Sequence, residues 1–296
     1  MDLQELRGQI DDIDRQLVDL FCQRMEVSAE IADYKKKQGL PIYVPARERE
    51  KLADVLNLAG PDMANYTRVL YSTLFELSRS YQRKRNSQES SLLKQIRSSI
   101  KQTPIFLSSA PTIALPSAEE TTGQVVCDKI FKAPKYMYFE NNEGVFDAIQ
   151  LGLCQYGIIP IEGSASDSVK EVYDLAILYN FSIVHSFRLV TEHNHIIRYI
   201  CIGKNLEISP ESDKTSIVIT LANKPGSLYR VLARMYVLGI NVTRLESKSI
   251  PGNDFEFVFY FDLETSVYSE GFTQLICELD ELCVTFKYLG SYSEVE

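Results

Sequence analysis

Residues 3–38, LQELRGQIDDIDRQLVDLFCQRMEVSAEIADYKKKQ, read as one long helix. Apolar side chains fall at Leu3, Leu6, Ile10, Ile13, Leu17 and Leu20, with Phe21 beside the last and Ile31 further on. The spacing alternates three and four through Leu20, a heptad-like seam. No proline interrupts it, the lone Gly8 is tolerable, and Gly39 stands where a C-terminal cap belongs. At 1.5 Å per residue such a helix spans ~54 Å. That is too long to pack on a small domain of its own. The seam therefore implies a partner helix from a second chain.

Beyond this helix, Pro41 and Pro45 bracket a short extended segment. A second helix is expected from about Ala46 to Leu58, with Pro45 at an early position where its missing N–H costs little. Gly60-Pro61-Asp62 breaks it. A third helix is expected from about Met63 to Arg85, with Val69, Leu70, Leu74 and Leu77 on one stripe. Residues 87–103 are polar and serine-rich and read as a linker with a helical part. From Pro104 short apolar runs alternate with helix. Ile113–Leu115, Tyr136–Phe139, Tyr156–Ile161 and Ser182–Phe187 are strand candidates, and Gly144–Leu153 and Val169–Tyr179 helix candidates, an α/β layout. From Thr215 the order becomes βαββαβ, a ferredoxin-like split. Its third strand places Phe255, Phe257, Phe259 and Phe261 on one face. The fold class is thus multidomain: an all-α domain at 1–86, a linker at 87–103, an α/β lobe at 104–206 and an α+β domain at 212–293.

A chain of 296 residues fits two or three domains. Net charge is −9 and no domain is basic, which argues against nucleic acid as a partner. No run of 18 apolar residues exists, so no membrane span is expected. The acidic start, Met1 to Glu5, is not a signal peptide, and a cytoplasmic protein is expected. The six cysteines are scattered without a C-x-x-C and read as reduced, mostly buried thiols. His193-x-His195 lacks companion ligands, so no metal is expected.

Polar residues are informative where a helix sets them against its apolar seam. Arg24 and Lys35 are eleven residues apart, about 20° from the same face and ~16 Å from each other along the axis. Two long cationic arms can close on one small anion across that gap. Arg7 lies ~25 Å before Arg24. For Arg7 to serve the same small ligand, it must come from a second chain crossing antiparallel. Ser78 and Gln82 are four apart and share a face. Arg47 and Glu48 open the second helix. Taken singly, each charge on a long helix reads as solvated or paired surface; together they read as a site.

Residues 5–85 resemble the all-helical chorismate mutase family, the domain at the start of bifunctional chorismate mutase–prephenate dehydratases. The resemblance runs through Leu6-Arg7, Arg24, Lys35, Arg47-Glu48, and Ser78 with Gln82. It implies an intertwined dimer of three-helix chains, with Arg7 lent to the partner's site. It assigns Arg7 and Arg24 to the two carboxylates of chorismate, Lys35 and Gln82 to its ether oxygen, and Glu48 to the ring hydroxyl. Arg47 and Ser78 support the pocket. The rearrangement to prephenate is unimolecular and pericyclic, so no cofactor is expected. It needs clamps on the carboxylates and donors where the breaking C–O bond leaves negative charge. One position departs: the family's Asp three residues before the arginine is Val44.

Residues 104–205 resemble the prephenate dehydratase domain in part. Val145–Ile149, Gln155–Glu162, Ser168-Val169 and Val172–Leu175 carry the likeness. The family's PIENS reads Pro160-Ile161-Glu162-Gly163-Ser164. Its Gly-rich segment reads Ser117–Gly123, and its TRF reads Ile197-Arg198-Tyr199. No second lobe fits between Leu189 and His195. The expectation is a lost dehydratase activity. Residues 214–293 resemble an ACT domain of the kind that binds phenylalanine, through Lys214–Ser216, Lys224–Leu228 and Leu289–Tyr292. The effector motif reads Glu246-Ser247-Lys248-Ser249, with Lys for Arg and Ser for Pro. The implied effector positions are Gly226, Ser227, Leu228, Glu246 and Ser247. A ligand-free dimerising module, supported by the Phe-rich sheet face, is the alternative. Three readings follow: a mutase with a decayed dehydratase, a working bifunctional enzyme, and a non-catalytic amino-acid-sensing scaffold. A homodimer or higher homo-oligomer is expected in each.

Overall fold

A computed structural model describes residues 2–86, 91–102, 110–116, 121–162, 169–190, 196–250 and 252–295. The chain divides into two compact units, 1–88 and 89–296.

The first unit is helical throughout. Helix α1 spans Leu3–Gln38. The Asp2 carboxylate accepts from the Glu5 N–H at 2.9 Å while Glu5 accepts from the Asp2 N–H at 3.0 Å, so two orphan donors are satisfied reciprocally. Gly39, at φ 63°, ends the helix in the left-handed conformation that glycine tolerates best. Helix α2 runs Pro45–Ala59, and after a 3-10 turn at Pro61–Met63 helix α3 runs Ala64–Asn86. Helix α3 packs along the second half of α1, where Ser28, Ala29 and Ala32 are buried and Arg85 forks onto Asp33 at 2.9 Å. The first half of α1 has no such cover. Leu3, Leu6, Ile10, Ile13, Leu17 and Leu20 are all exposed, the least of them, Leu6, by 43%.

The second unit contains two sheets. The first has strand order β10-β4-β5-β3-β1-β2. Its strands are β1 Thr112–Leu115, β2 Lys135–Tyr138, β3 Tyr156–Glu162, β4 Ser182–Val190, β5 Ile196–Gly203 and β10 Glu294–Val295. Strand β1 pairs in parallel with β2 and β3, whereas β5 runs antiparallel to both β3 and β4. Tyr156–Ile161 is a continuous buried run, as a strand covered on both faces requires. Helices α5 Thr121–Ile130, α6 Asn142–Gln150 and α7 Val169–Tyr179 accompany this sheet. Strands β4 and β5 pair as far as Val190 opposite Ile196, so only five residues join them.

The second sheet is antiparallel, in the order β7-β8-β6-β9. In chain order the elements are β6 Lys214–Ala222, α8 Ser227–Val237, β7 Asn241–Ile250, β8 Asn253–Glu264, α9 Glu270–Leu282 and β9 Thr285–Tyr292. Ile217, Phe261 and Leu263 pack with Val231, Met235, Leu275 and Leu279 of the two helices. The opposite face, through Val218, Tyr260, Leu289 and Tyr292, shares a core with Val172, Tyr173 and Ala176 of α7. The chain then adds β10 to the first sheet beside β4. Gly290, at φ 149°, lies where an added Cβ meets the Ile183 carbonyl, so no side chain fits that crossing.

Several expectations need correction. Helix α5, strand β5 and strand β10 were not anticipated, and the Gly-rich-segment equivalent enters α5 at Thr121–Gly123, with Ser117–Glu120 outside the described residues. The linker's helical part is α4, Ser91–Gln102, and it is packed rather than free: Leu93 and Ile96 are buried with Ile208, Phe272 and Ile276. The phenylalanine face is partly covered within the chain: Phe261 is buried and Phe259 packs with α8 and α9, whereas Phe257 is half-buried and Phe255 exposed. Of the cysteines, Cys127, Cys154 and Cys201 are buried, Cys277 and Cys283 intermediate, and Cys22 exposed; all six are free thiols. Pro104, Gly163, Ser164, Ser168, His193 and His195 lie outside the described residues. Among the described residues no helix is long and apolar enough to cross a membrane.

Candidate functional site

In the helical unit, α1, α2 and α3 line an open cavity of about 330 Å³. Arg24 and Lys35 reach it from α1, Val44, Arg47 and Glu48 from the start of α2, and Ser78 and Gln82 from α3. Seven of the eight positions singled out in this region thus line one space. Arg7 does not; it sits near the far end of α1, ~25 Å from Arg24 along the axis.

Local structure explains each placement. The spacing of Arg24 and Lys35 puts both on the side of α1 that meets α3. Arg24 donates to Ser78 Oγ and lies 3.5 Å from the Leu74 carbonyl, so its guanidinium is aimed by α3. Gly39 turns the chain back, and Lys35 Nζ donates to the Ile42 carbonyl at 2.5 Å. Burial lowers the Lys35 pKa from the ordinary lysine value, and the Glu48 carboxylate opposes that shift. Ser78 and Gln82 are buried. Gln82 Oε1 is buried with no hydrogen-bond partner among the described residues. Amide oxygen and nitrogen are exchangeable by rotation, so Gln82 can present an unused donor to whatever fills the cavity.

Val44 is the N-cap of α2, in extended conformation, and no side-chain hydrogen bond caps the helix. The backbone does part of this work: the N–H groups of Arg47 and Glu48 approach the Val44 carbonyl at 3.1 and 3.3 Å. An aspartate here would accept from the first-turn N–H groups as well. Val44→Asp is expected to stabilise the helical unit by about 1 kcal/mol, read by urea denaturation of the full chain. No gain would show that the segment before α2 is ordered by other contacts.

Sequence reasoning missed three polar lining residues, Ser28, Lys51 and Arg79, and did not place the apolar Ile31, Ile42 and Phe75 in the site. Arg79 is the consequential one. It is buried, ion-paired with Glu48 across the helix interface and with Glu76 on its own helix, and lies over the Tyr43 ring at 5.0 Å from the centroid. Burial works against its charge, but the two carboxylates outweigh it and the pKa is raised. The available signal was the Glu76–Arg79 spacing of three, which places opposite charges side by side on a helix.

In the second unit the positions considered for an effector lie on two elements. Gly226 caps α8, which opens with Ser227 and Leu228, whereas Glu246 and Ser247 are on the edge strand β7. Glu246 faces Lys170 of α7 at 3.5 Å, and Lys248 pairs with Asp174 at 2.6 Å. Arg198, the arginine of the Ile197-Arg198-Tyr199 triplet, is buried. It pairs with Asp262 at 2.7 Å, Glu294 at 2.9 Å and Glu162 at 3.2 Å.

Residues 6–83 match the family model for chorismate mutase type II, and residues 118–201 that for prephenate dehydratase. A bifunctional chorismate mutase/prephenate dehydratase of Aquifex aeolicus (strain VF5) is 24% identical over 376 aligned positions, covering 98% of each chain. The alignment exceeds this chain's 296 residues by 80, so at least that many positions have no counterpart here. The prephenate dehydratase structure from Streptococcus mutans is similar at TM-score 0.54 and 26% identity, over 62% of this chain and 99% of that one. The prephenate dehydratase of Arthrobacter aurescens, solved in complex with L-Phe, shares the fold at TM-score 0.54 and 13% identity, over 62% of this chain and 90% of that one. Both family segments thus occur in one chain, in the order of a relative that aligns along nearly its whole length, so the chain is similar to bifunctional chorismate mutase/prephenate dehydratases.

Proposed function

We propose that this protein is a chorismate mutase whose dehydratase activity is lost. One observation carries the first half: Arg24, Lys35, Glu48 and Gln82 line a single cavity in the helical unit. The reaction needs no base, nucleophile, metal or cofactor. Arg24 holds one carboxylate of chorismate and Arg7 of a second chain the other, which fixes the compact conformer. Lys35 and Gln82 donate to the ether oxygen as negative charge develops there. Glu48 accepts from the ring hydroxyl, and Arg47 and Ser78 support the pocket. The uncovered apolar first half of α1 supports the intertwined homodimer, because a contiguous exposed stripe of this kind calls for a partner. A cytoplasmic location goes with this reading.

The loss of dehydration is supported by three features. Five residues between β4 and β5 leave no length for a second lobe. Glu162 is engaged by Arg198 and Arg244. The A. aeolicus alignment is longer than this chain by 80 positions, so the chain is shortened relative to that protein. The second sheet, with helices on one face, we read as a ferredoxin-like ACT domain, with phenylalanine as the candidate effector at Gly226, Ser227, Leu228, Glu246 and Ser247. The alignment along nearly the full length of a bifunctional relative favours a second reading, a working bifunctional enzyme.

One assay separates these. Purified full-length protein is given chorismate, and chorismate loss and phenylpyruvate formation are followed with and without phenylalanine. Chorismate loss without phenylpyruvate is expected. No chorismate loss would leave a non-catalytic sensing or scaffold role, and phenylpyruvate would restore the bifunctional reading. Mixing inactive Arg7→Ala and Arg24→Ala proteins is expected to restore activity, through mixed dimers holding one intact site. No recovery despite proven subunit exchange would sink the shared-site geometry.

A further inference from the structure

We infer that Arg79 is a positioning residue of the helical site: it pins the Glu48 carboxylate and so keeps it from capturing the Lys35 ammonium. The inference rests on the mutase reading and deepens it. Arg79 joins three parts of the cavity wall. One guanidinium nitrogen holds Glu48 of α2, another holds Glu76 of α3, and the plane covers Tyr43 in the segment between α1 and α2. A planar fork suits such a bridge, and a lysine does not reproduce it.

The need for a clamp follows from the charges around Glu48. Arg24, Lys35, Arg47, Lys51 and Arg79 all line the same cavity. Arg24 is engaged by Ser78. Arg47 is exposed and pairs with Glu50 at 2.8 Å. Lys51 is exposed, where water weakens an ion pair. Lys35 is half-buried and already feels Glu48 electrostatically. A released Glu48 therefore gains most by turning to Lys35, because attraction grows as water is excluded. That pairing occupies the donor required at the ether oxygen.

The test is a double-variant cycle on the full chain. Arg79→Met is expected to lower kcat by about 10-fold or more, and Glu48→Gln to cause its own loss. The double variant is expected to lose no more than Glu48→Gln alone, since the amide no longer competes for Lys35. Losses that multiply would overturn the inference, because Arg79 would then act independently of the charge at residue 48. A second readout needs no catalysis. In protein carrying 13Cε-labelled lysine, the Lys35 titration seen by NMR is expected to move up in Arg79→Met and back down in Arg79→Met/Glu48→Gln. An unmoved titration would overturn the inference. If Arg79→Met does not fold, Arg79→Lys replaces it. One ammonium cannot span Glu48 and Glu76, so Lys35 is expected to shift part way, and no shift would again count against it. Failure of wild-type protein to consume chorismate would remove the mutase reading while leaving the titration test standing.

Discussion

Lys35→Ala is expected to lower kcat for chorismate consumption by roughly 10²–10³-fold, the scale seen when one preorganised donor to developing negative charge is removed. The expectation rests on where the ammonium lies. It is half-buried, held by the Ile42 carbonyl at 2.5 Å, and shares a cavity with the buried Gln82 amide. Uniform binding should fall less, because the carboxylates are assigned to arginines; KM is expected to change several-fold at most. The pH profile gives an independent check. Lys35 acts only as the ammonium, and burial lowers its pKa. Activity is therefore expected to fall as pH rises through a value below that of an ordinary lysine, about 10.4. In Lys35→Arg that alkaline limb should disappear, since guanidinium stays charged throughout, even though the larger planar group restores little of kcat. A Lys35→Ala protein that is folded and fully active would place the ether-oxygen donors elsewhere.

How much of this was legible in the sequence differs between the two units. In the helical unit the heptad-like seam, Gly39 and Pro45 carry strong local signals, and α1 and α2 begin and end close to where those residues place them. The site followed from helical periodicity: residues four or eleven apart share a face whatever the tertiary context. Arg79 was not legible in the same way, because its role depends on Glu48, 31 residues away, being brought across a helix interface. In the second unit the βαββαβ order could be read from alternation and turns. Strand β5 was seen only as a motif. Helix α5 was hidden because TTGQVVCDKI mixes glycine with β-branched residues, which weakens helical propensity. The two-residue β10 has no sequence signature of its own, and neither does the seam between the sheets, which is built from charges scattered from Glu162 to Glu294.

That seam sets the second large expectation. Arg198→Met is expected to destabilise the second unit by about 3–5 kcal/mol, the cost typical of leaving one partner of a buried ion pair unpaired. Asp262 is fully buried and also accepts from Tyr173 at 2.7 Å and Ser216 at 2.6 Å. Arg198 further donates to Ser186 at 3.1 Å and Tyr292 at 3.3 Å. Its loss strands a buried carboxylate whose next cation, Arg244, is 3.8 Å away. The chain has no tryptophan, so unfolding is followed by far-UV circular dichroism and tyrosine signals in urea. Arg198→Met/Asp262→Asn should recover at least about 1 kcal/mol, because the stranded charge is gone. Chorismate consumption should persist, since the helical site lies in the other compact unit. A loss under about 1 kcal/mol would show that Arg198 is not the tie between the sheets. The same variant tests the lost-dehydratase reading from the opposite side. If wild-type protein forms phenylpyruvate and Arg198→Met abolishes it at unchanged stability, the arginine serves chemistry. If stability collapses and no phenylpyruvate forms in either protein, the buried arginine of the old motif serves the fold.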